Sequence, residues 1–193
     1  MTHRSLARKG RACLLWGAAA FVAVQLGWGL MIDQAFPEVR DPEYADRLGQ
    51  FRALRAEEPD APLAALLGSS RTWMGVRAAR LGVTVGGRPA LAYNFAWPGG
   101  GPVRELLTLR RLLADGARPD RVVVEVMPPY LNDRPGMLPE ERHLDGATLQ
   151  GPELARACRY VSRPWSMAAR WGLGRTLPWR RRNLDLRIRE EIT

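Results

Sequence analysis

Residues 62–72 of this chain read PLAALLGSSRT, a short apolar run that ends in a glycine, two serines, an arginine and a threonine. The run from Pro62 to Leu67 has the length of a buried strand, and a Gly-Ser-Ser turn is a typical helix start. In open parallel sheets, ligands bind at the carboxyl ends of the strands. The stretch therefore predicts a strand, a turn and a helix, with Ser70 capping the helix at a ligand crevice. The alternative is that Ser69 or Ser70 serves only as a helix cap.

Two further apolar runs continue this pattern along the chain. One extends from Ala90 to Ala96, and the other, Arg121 to Met127, reads RVVVEVM, as expected for a strand covered on both faces. Between them, Pro102 opens a helical pattern that Gly116 closes. The alternation of strands and helices predicts an α/β fold with a parallel sheet.

The segment nearest the N-terminus has the features of a membrane anchor. Residues 12–32 read ACLLWGAAAFVAVQLGWGLMI, 21 residues without a charge. At 1.5 Å per residue, a helix of this length spans the roughly 30 Å of a bilayer core. Four basic residues precede it, whereas residues 33–47 contain five acids and two arginines. The positive-inside rule therefore places the N-terminus in the cytoplasm and the rest of the chain outside.

Two alternatives to an uncleaved signal-anchor remain open. A cleaved signal peptide needs a shorter apolar core and a small-x-small site after it, and Gly27-Trp28-Gly29 lies inside the run instead. A buried helix of a globular domain has a similar composition.

The overall composition is that of a globular protein with excess basic charge. The chain has 193 residues, of which 46% are hydrophobic, and a net charge of +9 at pH 7. It is too apolar for disorder, and its two cysteines are too few for a disulfide framework. Every basic residue except Lys9 is an arginine, so part of the charge reflects compositional bias. The predicted location outside the cytoplasm disfavours nucleic acid as a partner.

The chain divides into five segments by composition. Asp41-Pro42 begins a helical pattern that Pro59 stops, and this helix is predicted to be a stem between the membrane and the domain. From residue 159 to residue 182 there are seven arginines, three tryptophans and no acid. The segments are a cytoplasmic basic segment (1–11), a transmembrane signal-anchor (12–32), a stem helix (33–60), an α/β core (61–133) and a helical Arg/Trp-rich flank (134–193).

The three predicted strand ends together resemble the SGNH (GDSL-like) hydrolase superfamily, particularly its membrane-anchored bacterial members. Gly68-Ser69-Ser70 is similar to the Gly-Asp-Ser block of that family, and Asn94 with Gly99 is similar to its Asn-x4-Gly block. Asn132, followed by Asp133, lies near the expected third block. The resemblance implies a partial flavodoxin-like three-layer parallel sheet. It also implies that Ser70 is the catalytic nucleophile, with Asn94, Gly99 and Asn132 as oxyanion or substrate groups.

The last block of the family, Asp-x-x-His near the C-terminus, is missing from this chain. His143 has acidic neighbours in the wrong order and lies too early. A serine needs a base to take its proton, so the chain as given is expected to have little or no esterase activity. It is either a non-catalytic relative or lacks the part that carries the last strands and the Asp-His pair.

Other polar features of the chain point to binding rather than to a cofactor. Arg71 follows the predicted nucleophile and is placed to bind a carboxylate or phosphate, or to pair with an acid such as Glu125. No metal or cofactor is predicted, because two isolated histidines give no ligand spacing and residues 99–101 match no phosphate-binding motif. The Arg/Trp-rich flank is predicted to bind anionic lipid or glycan, or to pack its tryptophans on the sheet.

Two functions follow from these features. The first is an anchored SGNH-like esterase or O-acyltransferase that acts on an exported glycan or acyl ester. The second is a non-catalytic binding or envelope assembly protein at the membrane.

Overall fold

The computed structural model describes residues 3–36, 40–131 and 139–176. Six helices and five strands follow one another in these ranges, with short 3-10 turns at 78–80, 128–131, 139–142 and 146–148. The elements are α1 (His3–Ala35), α2 (Pro42–Glu57), β1 (Leu63–Leu67), α3 (Ser70–Gly75), β2 (Thr84–Val85), β3 (Arg88–Pro89), β4 (Leu91–Asn94), α4 (Pro102–Ala114), β5 (Arg121–Val124), α5 (Gly151–Ala157) and α6 (Pro164–Thr176).

Residues within the three predicted runs form one parallel sheet, but β5 is largely exposed, so the expectation that this strand is covered on both faces is wrong. The strand order is β4-β1-β5, so the first strand of the chain lies in the centre, and all five of its residues are buried. Leu66 pairs with Asn94 on one side and with Val123 on the other. The predicted α/β class and the parallel sheet are confirmed. Because all three strands run the same way, their carboxyl ends meet at one end of the sheet.

A small hairpin of β2 and β3 lies between α3 and β4 and was missed by the sequence analysis. The two strands are antiparallel and are joined by Gly86 and Gly87. Both glycines have positive φ, 57° and 77°. A two-residue Gly-Gly connection is a recognised hairpin signal, because such turns need φ above zero.

The helix α2 forms as expected but is not a detached stem. Asp41 caps it by accepting a hydrogen bond from the Tyr44 N–H at 3.2 Å, and Pro42 is its first residue. Tyr44, Leu48 and Phe51 lie on one face and pack against β1 and the residue after β4. This apolar face needs burial, so the helix joins the domain core instead of standing apart from it as a stem.

The C-terminal helices build a second core against α4 rather than against the sheet. Leu107 of α4 packs in one cluster with Leu149, Ala157 and Met167. Trp171 borders this cluster, and its indole N–H donates to the Leu149 carbonyl at 3.1 Å. The expectation that the tryptophans of the flank pack on the sheet is therefore wrong for Trp171, and Trp179 lies outside the described residues.

Four buried charged side chains join α2, α4 and α5. Arg111 donates to Asp41 at 2.6 Å and to both carboxylate oxygens of Glu153 at 2.6 and 2.7 Å. Arg104 donates to the same Asp41 oxygen at 3.2 Å. Burial opposes ionisation of Asp41, but the two guanidinium charges outweigh it and hold the pKa of Asp41 below its ordinary value.

The helix α1 carries the apolar segment of the N-terminus. It has 33 residues, and from Lys9 to Ile32 it is long and apolar enough to cross a membrane. Most of its apolar side chains are exposed, among them Trp16 and Trp28 near the two ends of the apolar segment.

Candidate functional site

The turn after β1 is closed by Ser69, not by Ser70. The Ser69 hydroxyl accepts a hydrogen bond from the Arg71 N–H at 3.2 Å and is the N-cap of α3. Ser70 is the first residue of the helix and is half-buried. The expectation that Ser70 caps the helix is wrong. Because Ser69 takes the capping role, the Ser70 hydroxyl is not needed for it.

Glu125, which follows β5, fixes this turn from the neighbouring strand. Its carboxylate accepts hydrogen bonds from the Ser69 N–H at 2.7 Å, the Ser69 hydroxyl at 2.9 Å and the Thr72 hydroxyl at 2.6 Å. Burial alone would raise the pKa of Glu125, but these donors outweigh it and lower the pKa. Glu125 therefore binds the turn itself and does not pair with Arg71, which is exposed.

Asn94 lies at the carboxyl end of β4 and connects that strand to α3. Its side-chain amide donates to the Thr72 carbonyl at 2.9 Å and to the Val76 carbonyl at 3.0 Å. Its oxygen accepts from the Ala96 N–H at 3.0 Å. Both amide protons are thus used by backbone groups, so a contact of Asn94 with substrate requires these bonds to open.

The turn that contains Gly99 lies directly beside the serine turn. The Trp97 N–H donates to the Gly68 carbonyl at 2.8 Å. The guanidinium groups of Arg104 and Arg47 lie over the Trp97 ring, 3.8 and 4.8 Å from its centroid. Gly99 has a φ of 71°, which favours glycine. The structure therefore brings Ser70, Asn94 and Gly99 together at the carboxyl end of the sheet.

His143 packs on Gly99, a contact that the sequence did not indicate. A Cβ atom at Gly99 would overlap the His143 ring. His143 is exposed, and within the described ranges its ring makes no hydrogen bond. The chain thus has an imidazole at this end of the sheet, although it stands in a different order from the family pattern. Asn132 and Asp133 lie outside the described residues.

Two more carboxyl groups lie at the start of α4, beside the Gly99 turn. Glu140 is 1% exposed and accepts hydrogen bonds from the N–H groups of Val103 and Arg104 at 3.0 and 3.1 Å. Such donors stabilise a carboxylate at a helix N-terminus, but burial outweighs them here and raises the pKa of Glu140. Burial and the charges of Glu140 and Glu125 raise the pKa of Glu105 to about 7. No motif in the sequence pointed to Glu105 or Glu140.

Replacing Glu105 by glutamine is expected to change the pH dependence of stability. The folded-state pKa of about 7 lies above the ordinary value of 4.5, so ionised Glu105 opposes folding. Protonated Glu105 makes its full contribution to the stability of the wild type below pH 4.5. This contribution is lost as the pH rises through about 7. Thermal unfolding of Glu105→Gln should match wild type below pH 4.5 and show a higher Tm above pH 7. The exposed Glu57→Gln variant is the control, and equal Tm shifts at both pH values would contradict the assignment.

A cavity of about 270 Å³ lies at the opposite end of the sheet. Its lining includes Leu63, the first residue of β1, and Gly116 after α4. None of the candidate residues at the carboxyl end contributes to it. The candidate site is formed by strand-end turns and is separate from this cavity.

Comparison with family models, with curated proteins and with solved structures gives no match for this chain. Conclusions about function accordingly rest on the residues and their geometry.

Proposed function

We propose that this protein is a membrane-anchored, extracytoplasmic SGNH-like protein with a partial flavodoxin-like core. Its substrates would be acyl esters, such as those of an exported glycan, handled by esterase or O-acyltransferase chemistry with Ser70 as the nucleophile. The observation that carries this proposal is the convergence of Ser70, at the start of α3, with the Gly99 turn at the carboxyl end of a parallel sheet.

The arrangement suits attack on an ester carbonyl. The Ser70 N–H lies at the positive end of the α3 dipole and is the group proposed to stabilise a developing oxyanion, because the N–H groups of Ser69 and Arg71 already bond to Glu125 and to the Ser69 hydroxyl. The Ser70 oxygen would form the bond to the acyl carbon while the bond to the leaving alcohol breaks. His143, whose ring packs on Gly99, is proposed as the group that accepts the Ser70 proton. Because no hydrogen bond orients its ring, we expect turnover to be slow.

The proposal that α1 anchors the chain in a membrane rests on its length, its composition and the charges on either side of it. Its segment from Lys9 to Ile32 has a mean hydropathy of 1.6. Trp16 and Trp28 are 78% and 53% exposed and lie near the two ends of the segment, as tryptophans do at membrane interfaces. Four basic residues lie within positions 4–11 and acids follow Ile32, so the N-terminus is proposed to be cytoplasmic.

A covalent probe tests the role of Ser70. The purified full chain in detergent is expected to react with a fluorophosphonate, which traps an activated serine, and Ser70→Ala should abolish the labelling. Ser69→Ala is the matched variant, because it removes the neighbouring hydroxyl and the helix cap but leaves the proposed nucleophile. We expect it to keep measurable labelling, with the adduct on Ser70 in the peptide map. His143→Gln should slow labelling if its ring takes the Ser70 proton.

Loss of labelling in Ser69→Ala but not in Ser70→Ala would contradict the proposal. Absence of labelling in the wild type, with a folded chain by circular dichroism, would favour the second candidate, a non-catalytic membrane-associated binding or envelope assembly protein. The observation behind that candidate is the His143 ring, which no carboxylate orients within the part of the chain that the structure describes.

A further inference from the structure

The helix α6 has apolar residues on the face opposite its buried side. Its inner face packs Met167 and Trp171 into the domain. The outer face contains Trp165 and Leu173, which are 72% and 52% exposed, and small residues between them. Positions 165, 168, 169, 172 and 173 follow the i, i+3, i+4, i+7, i+8 spacing of one helical face. We call this face the outer stripe.

The helix α6 also packs against the apolar helix α1. Among the described side chains of α1, the buried positions are Gln25, Gly29 and Ile32, spaced as one helical face. A Cβ atom at Gly29 would lie 2.7 Å from the Arg175 carbonyl, so the two helices touch closely there. Arg40 fixes the contact by donating to the carbonyls of Gly174 and Gly29 at 2.8 and 3.0 Å.

This contact sets the depth of α6 relative to a membrane that contains α1. Gln25 to Ile32 covers about 10 Å of helix at 1.5 Å per residue. All of it lies within the apolar segment, which ends at Ile32. Amphipathic helices that lie in the membrane interface bury their apolar face by about 5–10 Å. The position of α6 on α1 therefore matches that of an interfacial helix.

The charge of α6 suits an anionic surface. Arg163 precedes the helix, Arg170 and Arg175 lie within it, and residues 162–176 contain no acid. Arg170 borders the outer stripe and is exposed. Arginines beside an interfacial tryptophan bind phosphate headgroups.

We infer that α6 lies in the interface between water and the extracytoplasmic surface of the membrane that contains α1. Its outer stripe faces the lipid, and Arg163 and Arg170 contact anionic headgroups. This inference rests on the proposed anchoring of α1. The chain would then hold its domain against the bilayer by two elements, one that crosses the membrane and one that lies on it. Gln25, the polar residue of the apolar segment, would be shielded from lipid by this arrangement.

Depth-dependent quenching tests the inference in the full chain. The free thiols Cys13 and Cys158 are changed to serine, and single cysteines at Ala169, Val22 and Arg110 are labelled with a nitrobenzoxadiazole dye. The chains are reconstituted in phosphatidylcholine vesicles that contain nitroxide lipids, with or without phosphatidylglycerol. We expect the dye at 169 to be quenched about threefold more than the dye at 110, which lies on the exposed face of α4. Phosphatidylglycerol should increase the quenching at 169. In chains labelled at 169, Arg170→Gln should reduce that increase, whereas Arg110→Gln should leave it unchanged.

The label at 22 separates the two proposals. Quenching at 22 with none at 169 would overturn the position of α6 and leave the anchor intact. Absence of quenching at 22 would overturn both. A disulfide-linked dimer of the unlabelled Ala169→Cys chain would assign the outer stripe to a second copy instead of to lipid. No effect of phosphatidylglycerol would overturn the headgroup contact of the arginines.

Discussion

Replacing Arg111 by methionine is expected to destabilise the protein by about 3–5 kcal/mol, as does removal of one partner from other buried ion pairs. The Arg111 guanidinium contacts two buried carboxylates, Asp41 and Glu153, and the Thr148 carbonyl. Methionine fills similar volume but leaves Glu153 without its cationic partner and Asp41 with Arg104 alone. Three helices meet at this residue, so the loss affects the packing of the whole domain. The measurement is the thermal unfolding of the full chain in detergent.

Arg110 provides the matched control, since it is the neighbouring residue of α4 and is exposed. Arg110→Met should change stability by no more than about 0.5 kcal/mol, as is usual for surface positions. Equal effects of the two substitutions would mean that the buried charges contribute no more than a surface charge. Removing Arg111 together with Glu153, as a double methionine variant, should cost less than the sum of the single changes, because fewer charges remain unpaired.

Replacing Glu125 by alanine is expected to destabilise the protein by about 2 kcal/mol and to disorder the serine turn, because hydrogen bonds to a charged acceptor are among the stronger ones. The change leaves the buried Ser69 hydroxyl and its N–H without their acceptor. Ser69 caps α3, so its displacement also moves Ser70 and should reduce probe labelling. Unfolding and labelling are measured on the same preparation.

The pH dependence distinguishes the charge of Glu125 from its volume. Hydrogen bonds that stabilise the ionised form lower the pKa of Glu125 below its ordinary 4.5. The stability it contributes is therefore complete above pH 4.5 and is lost as the pH falls through the lower, folded-state pKa. The wild-type advantage over Glu125→Gln should be full at neutral pH and shrink in acid. A difference that is constant with pH would show that the carboxylate charge does not hold the turn, and Glu57→Ala serves as the exposed control.

The local elements of this protein could be predicted from its sequence. The apolar runs at 62–67, 90–96 and 121–127 became the strands of one parallel sheet, and Asp41-Pro42 and Pro102 marked helix starts. The uncharged run at 12–32 became one continuous helix. These features depend on residues within about one or two turns of each other, and side-chain size, polarity and backbone freedom in a short segment are enough to decide them.

The tertiary structure alone decided which side chains meet at the carboxyl end of the sheet. Whether Ser69 or Ser70 caps α3 depends on Glu125, which reaches the turn from the neighbouring strand. The contact of His143 with Gly99, and of Glu140 with the start of α4, joins segments that are distant in the sequence. No local pattern encodes such contacts, because they follow from how the sheet, its helices and the loop before α5 pack to bury their apolar faces. Local patterns predicted the strands of the sheet and the helices α1, α2 and α4, whereas the contacts between these elements follow from their packing.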